Sequence, residues 1–138
     1  MMTGCIKGQC HCGVVTVEVA AQPPFINACN CGWCGKLGVW WGYYAPADVR
    51  LIGETKGYTR IDKAEPAAEA HFCPICGVCT HWQRPAAFVA EHGPADILGV
   101  NMRLFEREAL SGVQLLYPDG RNWSGTGPWD FVREGEIL

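Results

Sequence analysis

Seven of the nine cysteines in this chain fall into three tight groups, Cys10/Cys12, Cys29/Cys31/Cys34 and Cys73/Cys76. The middle group has the spacing C-x-C-x-x-C, which no regular element explains. Residues two apart share a face of a strand but not of a helix, and for residues three apart the reverse holds. A turn that bends back on itself brings all three sulfurs to one point, with Gly32 and Gly35 supplying the backbone freedom. The last group reads Cys73-Pro74-Ile75-Cys76-Gly77, a knuckle whose two sulfurs face one metal and whose glycine permits a positive φ.

These cysteines read as metal ligands rather than disulfides. The N-terminal Met1-Met2-Thr3-Gly4-Cys5 has no apolar leader region, and no apolar run approaches membrane-spanning length. The expected location is therefore cytoplasmic, with no membrane partner, and in a reducing compartment clustered cysteines suggest metal. The odd count points the same way. A net charge of -3 and scattered Lys and Arg speak against a nucleic-acid partner, which usually meets a basic face. Residues 1–138 read as a single domain with enough chain for its own core.

The rest of the chain reads as short strands between Gly/Pro turns, which implies an all-β fold. Val15, Val17 and Val19 alternate with Thr16 and Glu18 as in a half-buried strand, which Gln22-Pro23-Pro24 ends. Residues 25–28 form a short apolar approach to the middle cysteines. Strands are expected over 39–44, 49–52, 58–61, 78–82, 97–105 and 113–117. Residues 85–90 fit a short helix or irregular chain, and the tail from Trp123 to Trp129 is turn-rich.

A closed structural zinc takes four ligands, whereas a catalytic zinc takes three and keeps a position open. Four plus three is thus the natural partition. The two pairs can close one site that ties the first strand to the segment after Phe72, leaving the triplet open. Spacing alone leaves other assignments standing: the triplet can borrow Cys79 or a histidine, and one pair can complete another site. Cys5 and Cys79 otherwise read as buried or incidental thiols. His11 sits in a turn that faces solvent, while His71 and His81 flank the knuckle as strand residues; His92 completes the candidate acid–base groups. Trp33, Trp40 and Trp41 read as core aromatics. There is no Ser-His-Asp constellation, phosphate loop or H-E-x-x-H, so no catalytic group is singled out beyond the metal ligands.

Taken in order, Gly8-Gln9-Cys10-His11-Cys12-Gly13-Val14-Val15, Cys29-x-Cys31-x-x-Cys34 and Phe72-Cys73-Pro74-x-Cys76-Gly77 resemble the glutathione-dependent formaldehyde-activating enzyme family. Pro46-Ala47-Asp48, Leu51-Ile52-Gly53-Glu54 and Val100-Asn101-Met102-Arg103-Leu104 support the resemblance. It implies a small zinc-stapled β fold, like that of Rab-exchange-factor-type zinc proteins. It also implies two Zn2+ per chain: a structural zinc on Cys10, Cys12, Cys73 and Cys76, and a catalytic zinc on Cys29, Cys31 and Cys34. The implied activity is that of a carbon–sulfur lyase acting on a small-molecule thiol, glutathione, and a small electrophile, formaldehyde. Asn30 stands where the middle motif of the family commonly has histidine, Cys79 is extra, and Val78 follows the knuckle where Ser or Thr is frequent. The rival expectation is a non-enzymatic zinc module that binds a protein, because fold alone does not decide function.

Overall fold

The computed structural model describes residues 4–123, and over these the chain is mostly β. The strands are β1 (Ile6–Gln9), β2 (Thr16–Val19), β3 (Phe25–Asn27), β4 (Trp41–Tyr44), β5 (Val49–Ile52), β6 (Lys56–Thr59), β7 (Glu69–Phe72), β8 (Cys79–Gln83), β9 (Leu98–Asn101) and β10 (Gln114–Leu116). Two short helices interrupt them, α1 (Gly32–Leu37) and α2 (Ala86–His92). The turn-rich tail expected from the sequence lies, apart from Trp123, outside the described residues. Among the described residues no helix is long and apolar enough to cross a membrane.

The strands form a three-stranded sheet in the order β1-β2-β5 and a seven-stranded sheet in the order β10-β3-β4-β9-β8-β7-β6. All pairings are antiparallel except β10 with β3. Strand alternation divides the buried side chains of the large sheet between its two faces. Val17 and Val19 of the small sheet pack with Ile26, Tyr44, Val100 and Met102 in one core. Trp41, Ala70 and Trp82 form a second core, and that core contains Cys29, Cys34 and Cys79. The middle cysteines are thus built into the hydrophobic interior rather than hung on a loop. Cys10, Val15 and Cys73 form a third, smaller cluster.

Several boundaries differ from the sequence expectation for identifiable reasons. The expected strand over 97–105 stops at Asn101, whose side-chain oxygen accepts the Arg103 N–H at 3.1 Å and turns the chain into a 3-10 helix over Met102–Leu104. Strand β6 begins two residues early, at Lys56, and ends at Thr59. Residues 86–92 are helical. In β8 the register against β7 shifts between His71 and Phe72, so that Phe72 pairs with Cys79 and His71 with His81. Thr80 is the extra residue of this bulge, which returns Cys79 to the same core as Trp82.

The indole of Trp82 lies against Gly99 of the adjacent strand, where an added Cβ would overlap the ring. Gly99→Ala therefore forces a large, packed side chain out of place. We expect it to lower stability by about 1–3 kcal/mol in urea unfolding; an unchanged midpoint would mean that Trp82 repacks without cost.

Candidate metal centres

The first centre is built from two matching turns. Cys10 follows β1 and Cys73 follows β7. In each turn the cysteine N–H donates to the carbonyl five residues on, Cys10 to Val15 and Cys73 to Val78, both at 3.0 Å. Gly13 and Gly77 then close the turns at φ 82 and 78, in the left-handed region that glycine tolerates. Backbone N–H groups also point at sulfur: Val15 N–H donates to Cys10 Sγ at 3.3 Å and Ile75 N–H to Cys73 Sγ at 3.4 Å.

The four sulfurs of Cys10, Cys12, Cys73 and Cys76 lie within 4.8 Å of one another. Cys12 Sγ is 3.7 Å from Cys10 Sγ and 3.6 Å from Cys73 Sγ. A tetrahedron of sulfurs around zinc has edges of about 3.8 Å for Zn–S bonds of about 2.3 Å, so the donor set fits a four-coordinate metal. Cys10 and Cys73 are buried, Cys76 is half-buried and Cys12 is exposed. Backbone contacts, first from Val78, pull the Cys76 thiol down to about 6. Cys12 is pushed up to about 11; a bond from Val14 opposes the rise, but desolvation and the Cys73 and Cys10 sulfurs outweigh it. Ionising one thiol thus hinders its neighbours until a cation compensates the charge.

The second centre straddles a strand end and a helix start. Cys29 follows β3, Cys31 caps α1, and Cys34 lies in its first turn. Their sulfurs also lie within 4.8 Å of one another, and among the described residues no fourth His, Cys, Asp or Glu joins them. The turn expected here, with its backbone freedom from Gly32 and Gly35, is instead the first part of a helix. Both are helical, and the left-handed residue is Gly38, which ends α1 at φ 68. The helix holds because Cys31 Sγ accepts the Cys34 N–H at 3.3 Å, a cap made by sulfur. Two more N–H groups point at sulfur, Cys31 N–H to Cys29 at 3.4 Å and the buried Trp41 Nε1–H to Cys34 at 3.3 Å. Contacts with Cys29, then Cys34, lower the Cys31 thiol, whereas sulfur contacts raise Cys29 and Cys34. One thiolate forms readily and three together need a cation.

Around this centre stand Trp33 and Trp41 and, with them, Arg60, Asp62 and Tyr43, which the sequence reading did not single out. Trp33 stacks on Trp41 with ring centroids 6.0 Å apart, and the Arg60 guanidinium lies 4.6 Å over the Trp33 ring. Asp62 receives both Arg60 bonds at 2.7 Å and raises its pKa, with the Cys31 and Cys34 sulfurs adding to the effect. Tyr43 projects from the same face of β4 as Trp41, and its hydroxyl accepts from Asn27 Nδ2 at 3.2 Å. Burial pushes the phenol up to about 12, with the nearby sulfurs contributing. The i, i+2 spacing of Trp41 and Tyr43 was the available signal; Arg60 gave none, because its contact is long-range.

The remaining candidates fall outside both centres. Cys79 is buried and its thiol is pushed up to about 12, mainly by desolvation, so it stays protonated at neutral pH. His71 and His81 stack at 4.7 Å. His81 is held near 4, chiefly by burial, and Thr80 and Gln83 contact its two ring nitrogens. His11 and His92 are exposed. Trp41 is core, Trp33 lines a surface trough, and Trp40 packs beneath the Arg103 guanidinium at 4.1 Å.

Asn30 pins a distant turn. Its amide donates to Asp119 Oδ1 at 2.9 Å and its carbonyl oxygen accepts the Arg121 N–H at 3.0 Å. Asn30→Ala removes both bonds, and we expect a local loss of about 1–2 kcal/mol. Hydrogen exchange at the Arg121 amide should quicken about tenfold while the Cys34 amide is unchanged; unchanged exchange at Arg121 would count against this anchor.

A family model described as glutathione-dependent formaldehyde-activating enzyme matches residues 5–106. No curated protein sequence matches the chain. Among solved structures, a Rhodobacter sphaeroides protein is similar at a TM-score of 0.59 and 26% identity, over 80% of this chain and 99% of that one.

Proposed function

The chain belongs to the glutathione-dependent formaldehyde-activating enzyme family, and from that premise we propose that it is a zinc-dependent enzyme of the carbon–sulfur lyase type. In this reading it adds a glutathione-like thiol to a small aldehyde such as formaldehyde, and releases it in the reverse direction. Cys10, Cys12, Cys73 and Cys76 hold a structural zinc, and Cys29, Cys31 and Cys34 hold a catalytic one. The observation that carries the reading is the asymmetry of the two donor sets. Four sulfurs converge in one and only three in the other, and among the described residues no fourth ligand completes the second.

Zinc held by Cys29, Cys31 and Cys34 would supply the positive charge that lowers the pKa of an incoming thiol and keeps it nucleophilic. Three thiolates also donate much charge, which makes such a centre better suited to a sulfur ligand than to activating water. The protein's part is to stabilise that charge. The N–H groups of Cys31, Cys34 and Trp41 donate to the three sulfurs and draw negative charge from them. Trp33 stacks on Trp41, the residue whose indole N–H reaches Cys34 Sγ. In the addition, the substrate sulfur forms a bond to the aldehyde carbon. The carbonyl π pair moves to oxygen, which takes up the proton that the thiol gave to solvent.

The test is the rate of adduct formation from glutathione and formaldehyde, with the spontaneous reaction subtracted, as a function of zinc added to metal-free protein. The expected result is an excess rate that appears with the second equivalent of metal rather than the first. A fully loaded protein with no excess rate would favour the non-enzymatic zinc module.

A further inference from the structure

Strand β4 carries two polar aromatic side chains on one face. Trp41 and Tyr43 lie two residues apart, about 7 Å from one another along the strand. The Trp41 indole N–H reaches Cys34 Sγ at 3.3 Å. Tyr43 packs against the core that contains Cys29 and Cys34, as Cys31 does. Its ring is held by Phe25, with centroids 6.2 Å apart, and by the edge of Trp82, at 6.4 Å. Burial first, and then the charge of the Cys34, Cys29 and Cys31 sulfurs, push its phenol up to about 12 against a bond from Asn27 that lowers it. Tyr43 is therefore a neutral hydroxyl at physiological pH, within the field of all three sulfurs.

A second residue fixes that hydroxyl. Asn27 is buried, and its side-chain amide donates to the Tyr43 hydroxyl oxygen at 3.2 Å. A phenol that accepts one bond still has its own proton to give. Among the described residues no protein acceptor takes it. The other donors at the centre are already engaged. The N–H groups of Cys31, Cys34 and Trp41 point at cysteine sulfur, and the Arg60 guanidinium is paired with Asp62. The addition proposed above creates one group that needs a donor. When the thiol sulfur bonds to the aldehyde carbon, the carbonyl π pair moves to oxygen, and negative charge develops there one atom away from the new carbon–sulfur bond.

Resting on that reading, we propose that Tyr43 is a catalytic residue of the addition. Its hydroxyl donates a hydrogen bond to the aldehyde oxygen as that oxygen becomes an alkoxide, and Asn27 is its positioning residue. Tyr43 keeps its proton throughout. The proton that completes the new hydroxyl group comes from solvent, which received it from the thiol. In the reverse direction the same bond stabilises the alkoxide from which the carbon–sulfur bond breaks.

The test compares the full, metal-loaded chain with Tyr43→Phe, which keeps the ring and loses only the hydroxyl. At saturating glutathione the excess rate should fall about ten- to a hundredfold. Glutathione binding, read from the sulfur-to-cobalt charge-transfer band of cobalt-loaded protein, should stay within about twofold of wild type, with metal content unchanged. Asn27→Leu, which frees the hydroxyl to turn, should slow the reaction about three- to fivefold, and combining it with Tyr43→Phe should cost nothing further. A probe that leaves both hydrogen-bonding groups in place is 3-fluorotyrosine at position 43, whose fluorine resonance should move when formaldehyde follows glutathione. If Tyr43→Phe keeps the wild-type excess rate, weakens glutathione binding as much as it slows the reaction, or loses a metal, the assignment of Tyr43 is overturned while the open-centre reading stands. A fluorine resonance that ignores formaldehyde overturns it too, and losses that add in the double variant remove Asn27 from its positioning role. If the wild type itself shows no excess rate, the proposed function fails and the assignment of Tyr43 with it.

Discussion

Cys73→Ser is expected to unfold the protein far below the temperature at which the wild type melts. Cys73 is fully buried, its sulfur lies 3.6 Å from Cys12 Sγ, and those two residues are 61 positions apart in the chain. The Cys10/Cys12 turn leaves the small sheet and the Cys73/Cys76 turn leaves the large one, so a metal held by all four fastens one sheet to the other. Around it the apolar support is thin, with Val15 the only buried non-cysteine residue of the cluster. Because such a site forms only in the folded state, metal-binding free energy is folding free energy. Losing a buried ligand should cost about 4 kcal/mol or more, which lowers Tm by roughly 15 °C. Thermal unfolding with and without a chelator checks this: chelated wild type should approach the variant. A variant that melts within about 2 °C of wild type would show that the four-cysteine centre does not staple the sheets.

Cys31→Ser is expected to have the opposite profile, with the fold kept and the chemistry lost. Serine is itself a good helix N-cap, so its hydroxyl can take over the Cys34 N–H that Cys31 Sγ accepts. Cys31 is also the half-exposed member of its group, so the core formed by Trp41, Ala70 and Trp82 stays filled. What goes is one of three sulfurs, and with it the donor set proposed for the second metal. Metal content should fall by one equivalent per chain. The excess rate of thiol–aldehyde addition should drop about a hundredfold or more, towards the spontaneous rate, while Tm moves by only a few degrees. Metal analysis, circular dichroism and the background-subtracted rate together check this. A variant that retains both its second metal and its excess rate would remove Cys31 from the site.

The sequence made the grouping of the cysteines legible but not the structure that carries the middle one. Cys10/Cys12 and Cys73/Cys76 lie two and three residues apart in turns ended by Gly13 and Gly77, and the local pattern alone accounts for that geometry. Helix α1 was hidden because only six residues form it, two of them glycine. It exists through a sulfur cap and a buried Cys34 rather than through propensity. Strand β1 was hidden for another reason. Its buried position is Gly8, where a Cβ would press on the Leu104 backbone at 2.9 Å, so no apolar side chain marks its inner face. The Thr80 bulge broke the alternation that the expected strand over 78–82 relied on. Asn30, read only as a departure from a family motif, proved to be the anchor of the turn at Asp119 and Arg121. Arg60 over Trp33 and Lys36 beside Tyr58 depend on a helix packing against a strand far away in the chain, and no local pattern encodes that.

The central claim is that the second centre keeps a position for a substrate sulfur. X-ray absorption at the zinc edge, on protein loaded with two metals, tests it most directly. Seven cysteine sulfurs shared by two metals give an average of about 3.5 sulfurs per zinc with a lighter ligand in the remaining place, and glutathione should raise that average to about 4. An average already at about 4 before thiol is added, or one that glutathione leaves unchanged, would contradict the account.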